Sequence, residues 1–279
     1  MTEHKLIWRI KTMCRVLKIS KSGYYKYLKK SAKEQFELEN KLKLIEEIYK
    51  SSRCTYGSRK VTKSLKAKGI SCYKNQIAKI MKQKGLFAKG RKRYRITTNS
   101  KHNLPIAPNI VNRNFEIDER NRVWVSDITY ISTQSGWLYL SVVLDLYSRK
   151  IVGWSLSDRM TKQLVISSLQ EAINSRRPKK GLVFHSDQGS QYASTELRNI
   201  INSIGGIQSM SRRGNCWDNA VAESFFKTLK TELINNEHFK TKEDAEMKLF
   251  DYIEIFYNRQ RMHSSIDDLS PVEYEERNC

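Results

Sequence analysis

Three runs of β-branched and aromatic residues, 123–133, 138–146 and 151–156, follow one another with almost nothing between them. Ser135-Gly136 separates the first two and Ser148-Arg149-Lys150 the last two, which are turn signals. Connections this short join antiparallel strands, because a parallel neighbour needs a crossover of a dozen residues or more. The chain then alternates. An amphipathic helix is expected over 161–174, with Leu164, Val165, Ser168, Leu169 and Ile173 inward. A short strand follows at 182–184, a helix at 195–204, a strand at 207–210 and a polar loop at 211–215. Helices from about 218 and over 242–258 complete the half. The fold class is therefore α/β: a mixed five-stranded sheet with helices.

Three acids sit at telling places in that pattern. Asp127 interrupts the first strand, Asp187 follows the fourth, and Glu223 lies near the start of the helix after the loop, with 35 residues between Asp187 and Glu223. Asp127 is expected mid-strand at the sheet centre, Asp187 at the tip of the neighbouring strand, and Glu223 on a helix packed across the sheet edge. Such a trio suits two divalent metals that activate a water or a 3′-hydroxyl against a phosphodiester. A lone acid is more often a solvated carboxylate. On its helix Glu223 shares a face with Lys227 and Lys230, at i, i+4 and i+7, opposite the apolar face of Ala222, Phe225, Phe226, Leu229 and Leu233. Arg212 and Arg213, in the loop before it, are candidate phosphate contacts or flexible surface arginines. Asp145, at the end of the second strand, is left out of the trio.

Charge separates the two halves. Residues 1–113 carry 30 Lys+Arg against 6 Asp+Glu, about +24, whereas 114–279 carry 21 against 23, about −2. A solubilising surface would spread its charge; this asymmetry points to a polyanion. The basic half reads as helices: a short helix-turn-helix-like segment over 1–35, then a three-helix domain over 36–88 with stops at Gly69 and Gly85. Its third helix presents Lys74, Lys79 and Lys82 and is expected in the major groove of double-stranded DNA. Residues 89–119, with Arg91, Lys92 and Arg93, read as an extended basic linker able to track a phosphate backbone. The sheet domain occupies 120–279.

Five cysteines show neither Cys-x-x-Cys nor Cys/His spacing for zinc, so no structural zinc is expected and the thiols read as those of a reduced, cytoplasmic protein. No apolar run is long enough to span a bilayer.

Several motifs carry a resemblance that covers nearly the whole chain. They are Trp124-Val125-Ser126-Asp127-Ile128-Thr129-Tyr130, Leu144-Asp145-Leu146-Tyr147-Ser148-Arg149, His185-Ser186-Asp187-Gln188-Gly189-Ser190-Gln191-Tyr192 and Asn219-Ala220-Val221-Ala222-Glu223 through Lys230. Tyr56-Gly57-Ser58-Arg59 upstream and Tyr257 to His263 downstream belong to the same set. The chain resembles the OrfB-type catalytic subunit of bacterial insertion-sequence transposases, in the DDE superfamily that includes retroviral integrases.

The resemblance implies an RNase H-like catalytic domain with Asp127, Asp187 and Glu223 as metal-binding catalytic residues and Lys230 as a contact to transposon-end DNA. It implies Mg²⁺, replaceable by Mn²⁺, and cleavage at terminal inverted repeats followed by attack of the freed 3′-hydroxyl on another phosphodiester. It also implies a homo-oligomer on DNA and an upstream-frame partner, OrfA, joined by frameshifting. Two other classes stay open: a structure-specific nuclease of the same fold, which would cut without joining, and a DNA-binding repressor with a silent catalytic domain.

Overall fold

The computed structural model describes His4 and residues 7–89, 105–212 and 215–278, with the backbone alone at 30–35 and 216. The chain forms two compact units, Met1–Ala88 and Lys89–Cys279.

In the first unit α1 (Ile10–Val16) leads into α2 (Lys21–Ser51), followed by α3 (Ser58–Ala67) and α4 (Lys74–Gln83). Helix α2 opens on Ser20, whose hydroxyl accepts from the Gly23 N–H at 2.9 Å. It differs from the expected pair of elements meeting near 35, being one helix of 31 residues. No glycine or proline occurs between Tyr24 and Ser51, and Ala32-Lys33-Glu34-Gln35 are all strong helix formers, so nothing stops propagation. Helices α3 and α4 do stop where expected. Gly69 and Gly85 take φ of 77° and 68°, and the N–H groups of Ile70 and Leu86 reach back to the carbonyls of Leu65 and Met81 at 3.0 and 2.9 Å. Ile45, Val61, Leu65 and Ile77 are fully buried between the helices. Lys74, Lys79 and Lys82 remain exposed along α4.

The second unit is built on β1 (Val123–Thr133), β2 (Gly136–Asp145) and β3 (Ile151–Ser157). Then come α5 (Lys162–Arg176), β4 (Val183–Ser186), α6 (Thr195–Ser203) and β5 (Ile207–Met210). The chain ends with α7 (Ala220–Glu232), α8 (Lys242–Phe250) and α9 (Pro271–Asn278). The strand order is β3-β2-β1-β4-β5. The first three strands pair antiparallel, while β4 joins β1, and β5 joins β4, in parallel. This is the mixed sheet of the RNase H-like fold.

Strand β1 lies at the centre and is buried on both sides. Val125 and Ile131 face one core with Leu140, Val142 and the helix side chains Phe225, Phe226 and Leu229. Trp124 faces the other with Val143, Val165, Leu169 and Phe184. Burying one such aromatic or aliphatic side chain contributes roughly 1.5–3 kcal/mol, which holds α7 against the face of the sheet instead of its expected place at an edge.

Two further differences concern the ends of this unit. The expected helix over 242–258 is α only to Phe250 and continues as a π-helical turn, Asp251–Tyr257. The wider turn accommodates Tyr252, Ile253, Phe256 and Tyr257 in the core, Tyr257 standing edge-on to Phe225 with ring centroids 4.8 Å apart. The described part of the expected linker, 105–119, packs on the sheet unit instead of running extended. Val111 is buried, and Phe115 and Ile117 lean on the same core. The Arg149 guanidinium also donates to the Phe115 carbonyl at 3.0 Å. Three apolar side chains within seven residues give this segment something to bury. Arg91, Lys92 and Arg93 lie outside the described residues.

Both edge strands have backbone groups occupied by the chain itself. On β3 the Asn258 amide both accepts from the Ile151 N–H and donates to the Ile151 carbonyl, each at 3.0 Å. The Trp154 N–H donates to Glu171 at 2.7 Å. On β5 the Met210 N–H donates to the Pro108 carbonyl at 3.3 Å. No helix among the described residues is long and apolar enough to cross a membrane.

Strand β3 also meets α5 at unusually short range. A Cβ on Gly153 would fall 2.3 Å from the Ser168 carbonyl oxygen and 2.6 Å from the Ala172 nitrogen, both backbone atoms. Gly153→Ala should therefore destabilise the sheet unit by roughly 2–3 kcal/mol through overpacking, read as a lower denaturant midpoint with an unchanged slope. An unchanged midpoint would mean that α5 moves away freely.

Candidate active site

The three acids are placed by three different local devices. Asp127 sits in mid-strand on β1, opposite Val142 of β2, and its Oδ1 accepts from the Ile128 N–H at 2.8 Å. Asp187 follows directly on β4, in a turn where its Oδ1 accepts from the Gly189 N–H at 2.9 Å. A side chain at 189 would press on that same oxygen, with a Cβ only 3.0 Å away, so glycine suits the turn. Glu223 stands in the first turn of α7. Because β4 lies parallel beside β1, and α7 crosses β1's face, all three carboxylates come within electrostatic reach of one another.

Asp127 shows the result. Burial, then the negative charge of Asp187, and more weakly that of Glu223, push its carboxyl well above the usual range. The Ile128 N–H and the Lys230 ammonium act in the opposite direction. Lys230 is half-buried, its ammonium 4.9 Å from the centre of the Tyr130 ring. Burial lowers its pKa, and Asp127 partly offsets that. Lys227 forms a partly exposed ion pair with Glu223 at 3.6 Å. Among the described residues no three His, Cys, Asp or Glu side chains gather tightly enough to enclose one ion. The trio is instead an all-oxygen donor set with excess negative charge. A hard divalent cation fits such a set, because it removes the repulsion that raises Asp127.

Beneath the acids lies a scaffold that the sequence reading missed. Asp218 has no solvent-exposed surface and accepts from Arg212 (Nε and Nη2, both 2.8 Å), Arg113 (3.0 Å) and Asn109 (2.9 Å). The Arg212 hydrogen bonds, foremost, hold its carboxyl well below the ordinary range. Arg212 thus clamps Asp218, a structural role beside the phosphate contact expected of it, and its side chain stays half-exposed. The buried carboxylate offers it a bidentate partner that loop flexibility would otherwise deny. Arg213 lies outside the described residues.

The backbone of the same residue holds His185. Its Nε2 lies 3.1 Å from the Asp218 carbonyl and its Nδ1 2.8 Å from the Ser209 hydroxyl. A carbonyl only accepts, so Nε2 carries the proton. Burial pulls the pKa down to about 4, and the ring is neutral at pH 7. Next in sequence, the Asn219 amide donates to the Ser126 carbonyl at 3.2 Å. It thereby ties the start of Glu223's helix to the residue before Asp127. The signal for this scaffold was Asp218-Asn219 itself, two polar residues at the mouth of an apolar helix.

The remaining expected site residues lie elsewhere. Lys74, Lys79 and Lys82 belong to α4 in the other unit. Asp145 pairs across from Trp124, near the start of β1 and three residues before Asp127. There it accepts from the Asn121 and Tyr147 N–H groups at 2.8 and 3.0 Å, beside Arg176.

Comparison with known proteins names what this arrangement belongs to. Residues 118–216 and 223–278 match two models described as Integrase core domain, and 36–94 match the HTH-like domain. The chain is 42% identical over 266 residues to the insertion element IS600 uncharacterized 31 kDa protein of Shigella sonnei, covering 95% of this chain and 98% of that one. It is 41% identical over 251 residues to the transposase of insertion sequence IS904 from Lactococcus lactis, covering 90% and 99%. The chain belongs to the insertion-sequence transposases. A chain of the simian T-cell lymphotropic virus intasome aligns with a TM-score of 0.48 at 16% identity, covering 82% of this chain and 73% of that chain. The transposase is a DDE-type polynucleotidyl transferase with an integrase core. It acts in transposition and DNA integration, binds DNA, and belongs to a family that depends on divalent metal.

Removing the clamp's charge tests the scaffold. Asp218→Asn leaves Arg212 and Arg113 without their counter-charge and should cost roughly 2–3 kcal/mol in unfolding free energy, discounted for the half-exposed arginines. A thermal melt matching the unaltered chain would assign the network no structural weight.

Proposed function

We propose that Asp127, Asp187 and Glu223 hold two Mg²⁺ ions and perform strand cleavage at the element's terminal inverted repeats and subsequent strand transfer. The observation that carries this is the convergence of the three carboxylates, felt at Asp127 as repulsion from both others. Divalent ions there would supply stabilisation of the attacking and leaving oxygens of the displacement. Asp127 and Asp187 each keep one oxygen tied to a backbone N–H, which fixes the direction of the carboxylate. Lys230, pinned over Tyr130 and close enough to Asp127 to feel its charge, is oriented to neutralise a phosphate of the end DNA. Lys227 flanks it from Glu223's side.

The division of labour follows charge. The segment 1–35 and the helix-turn-helix domain 36–88 hold the end duplex, with Lys74, Lys79 and Lys82 exposed on α4. The basic stretch with Arg91, Lys92 and Arg93 adds phosphate contacts, and 120–279 carries the chemistry. Mn²⁺ substitutes for Mg²⁺, since the donors are all oxygen. No structural zinc takes part; Cys14 and Cys72 are buried core thiols, Cys72 donating to the Thr62 carbonyl. The chain works in the cytoplasm on DNA as a homo-oligomer with the OrfA product of an upstream frame, as its family resemblance implies.

Asp127→Asn, Asp187→Asn and Glu223→Gln keep shape but remove metal-holding charge. Each should lower end cleavage and joining on the order of 10³-fold or more while end binding persists, and double changes should add little. A chelator should abolish both reactions. Cleavage in Mg²⁺ by any of the three variants at near-normal rate would overturn the assignment. Lys230→Ala should cut strand joining roughly tenfold, about 1.4 kcal/mol of lost binding. Joining yields equal to the unaltered chain across a salt series would remove Lys230 from the site.

A further inference from the structure

Off the end of the sheet opposite the acids lies a cleft of about 580 Å³, half of whose lining residues are cationic. Arg120, Arg122, Arg176, Arg177, Lys179 and Lys180 face it, against only Asp118 and Glu119. This stands out in a half of the chain whose net charge is about −2. Two of the cations are occupied: Arg176 with Asp145 and Glu275, and Lys179 with Glu119 at 3.7 Å. Arg120, Arg122, Arg177 and Lys180 are exposed and make no ion pair among the described residues.

The floor of the cleft is built, not incidental. The Val183 N–H donates to the Arg122 carbonyl at 2.9 Å, joining the segments that lead into β4 and β1. Arg176 Nε donates to the Asn121 side chain at 3.0 Å, and the Asn121 N–H donates to Asp145 at 2.8 Å. Four unpaired cations are thereby presented from two segments whose backbones cannot move apart.

Its position relative to the acids is set by strand geometry. Arg122 and Leu182 immediately precede β1 and β4, which run parallel. Asp127 and Asp187 each lie five residues further on, about 17 Å at strand rise. A phosphate in the cleft is therefore not the one undergoing chemistry.

Strand transfer brings together two DNAs, an element end and a second duplex, and the helix-turn-helix unit suits the end, whose sequence must be read. We propose that this cleft grips the sugar-phosphate backbone of the second, target duplex, an inference that rests on the strand-transfer reading above. Contacts to phosphate carry no base information, and target DNA has to be held without regard to the terminal repeat. The cleft offers charge without a row of base-reading groups, and an array of four exposed cations suits a polyanionic backbone.

The test uses the full chain with Arg120→Gln, Arg122→Gln, Arg177→Gln and Lys180→Gln combined, and a lysine-for-arginine variant at the three arginines. The glutamine variant should melt as the unaltered chain does. It should bind and cleave an end duplex within about twofold of normal, and join that end to a separate target at least tenfold less at moderate salt. Binding to a repeat-free duplex should lose about 3.5 from the slope of log affinity against log salt, four phosphate contacts' worth. The lysine variant should restore joining. Unchanged joining and slope would overturn the proposal, leaving a solvated face. Equal loss of end cleavage and joining would also overturn it, by showing that the cleft holds the end duplex. Should the unaltered chain fail to cleave even when supplied with the OrfA product, the strand-transfer reading fails before this one is reached.

Discussion

Carboxylates that repel one another stay together only if the frame around them cannot relax. At Asp127 the repulsion from Asp187 and Glu223 adds to the loss of solvent, so every element bearing an acid has to be held by something else. Strand β1 is held by burial on both faces. Strand β4 is held by parallel pairing between β1 and β5. Helix α7 is held at its start by the Asn219 contact to β1 and at its end by Glu232, on which Arg261 closes with both Nε and Nη2. That last pair is nearly sealed from solvent and also accepts the Tyr252 hydroxyl at 2.8 Å. Ion pairs in such surroundings contribute more to fixing one arrangement than to net stability.

The legible part of this architecture is the part whose physics is local. Strand runs ending in Ser-Gly or Ser-Arg-Lys, helices ending at Gly69 and Gly85, and the apolar stripe of α7 follow from periodicity and glycine alone. The acids were legible because each punctuates an otherwise apolar run. The scaffold under them was not. Asp218 finds Arg212 six residues away, but Arg113 and Asn109 lie more than a hundred residues back in sequence. No window of neighbouring residues contains that pairing. The same blindness hid Arg212's partner, since an arginine in a polar loop looks free until that partner is in place.

Two segments run on past where the sequence suggests a break, from opposite causes. Lys and Glu around residue 35 look like a surface break, yet their helix propensity is high and α2 runs straight through. Asn and Pro between 103 and 112 look like a tether, yet Val111, Phe115 and Ile117 attach the described part of it to the core. Composition describes how a segment meets water; it is silent on whether a few apolar side chains find a surface. The cationic cleft escaped notice for a related reason, because its charges come from 120–122 and 177–180, adjacent only once two parallel strands have paired.

The treatment of the sheet's two edges bears on how copies of the transposase can meet. An open edge invites a strand from another molecule. Here the Asn258 amide sits where a neighbour's backbone would bond Ile151, Glu171 occupies the Trp154 N–H, and the Pro108 carbonyl takes that of Met210. At these positions the sheet is already terminated by its own chain. A second copy would therefore have to meet this one through helices, side chains or DNA, contacts that come apart without tearing a β-ladder.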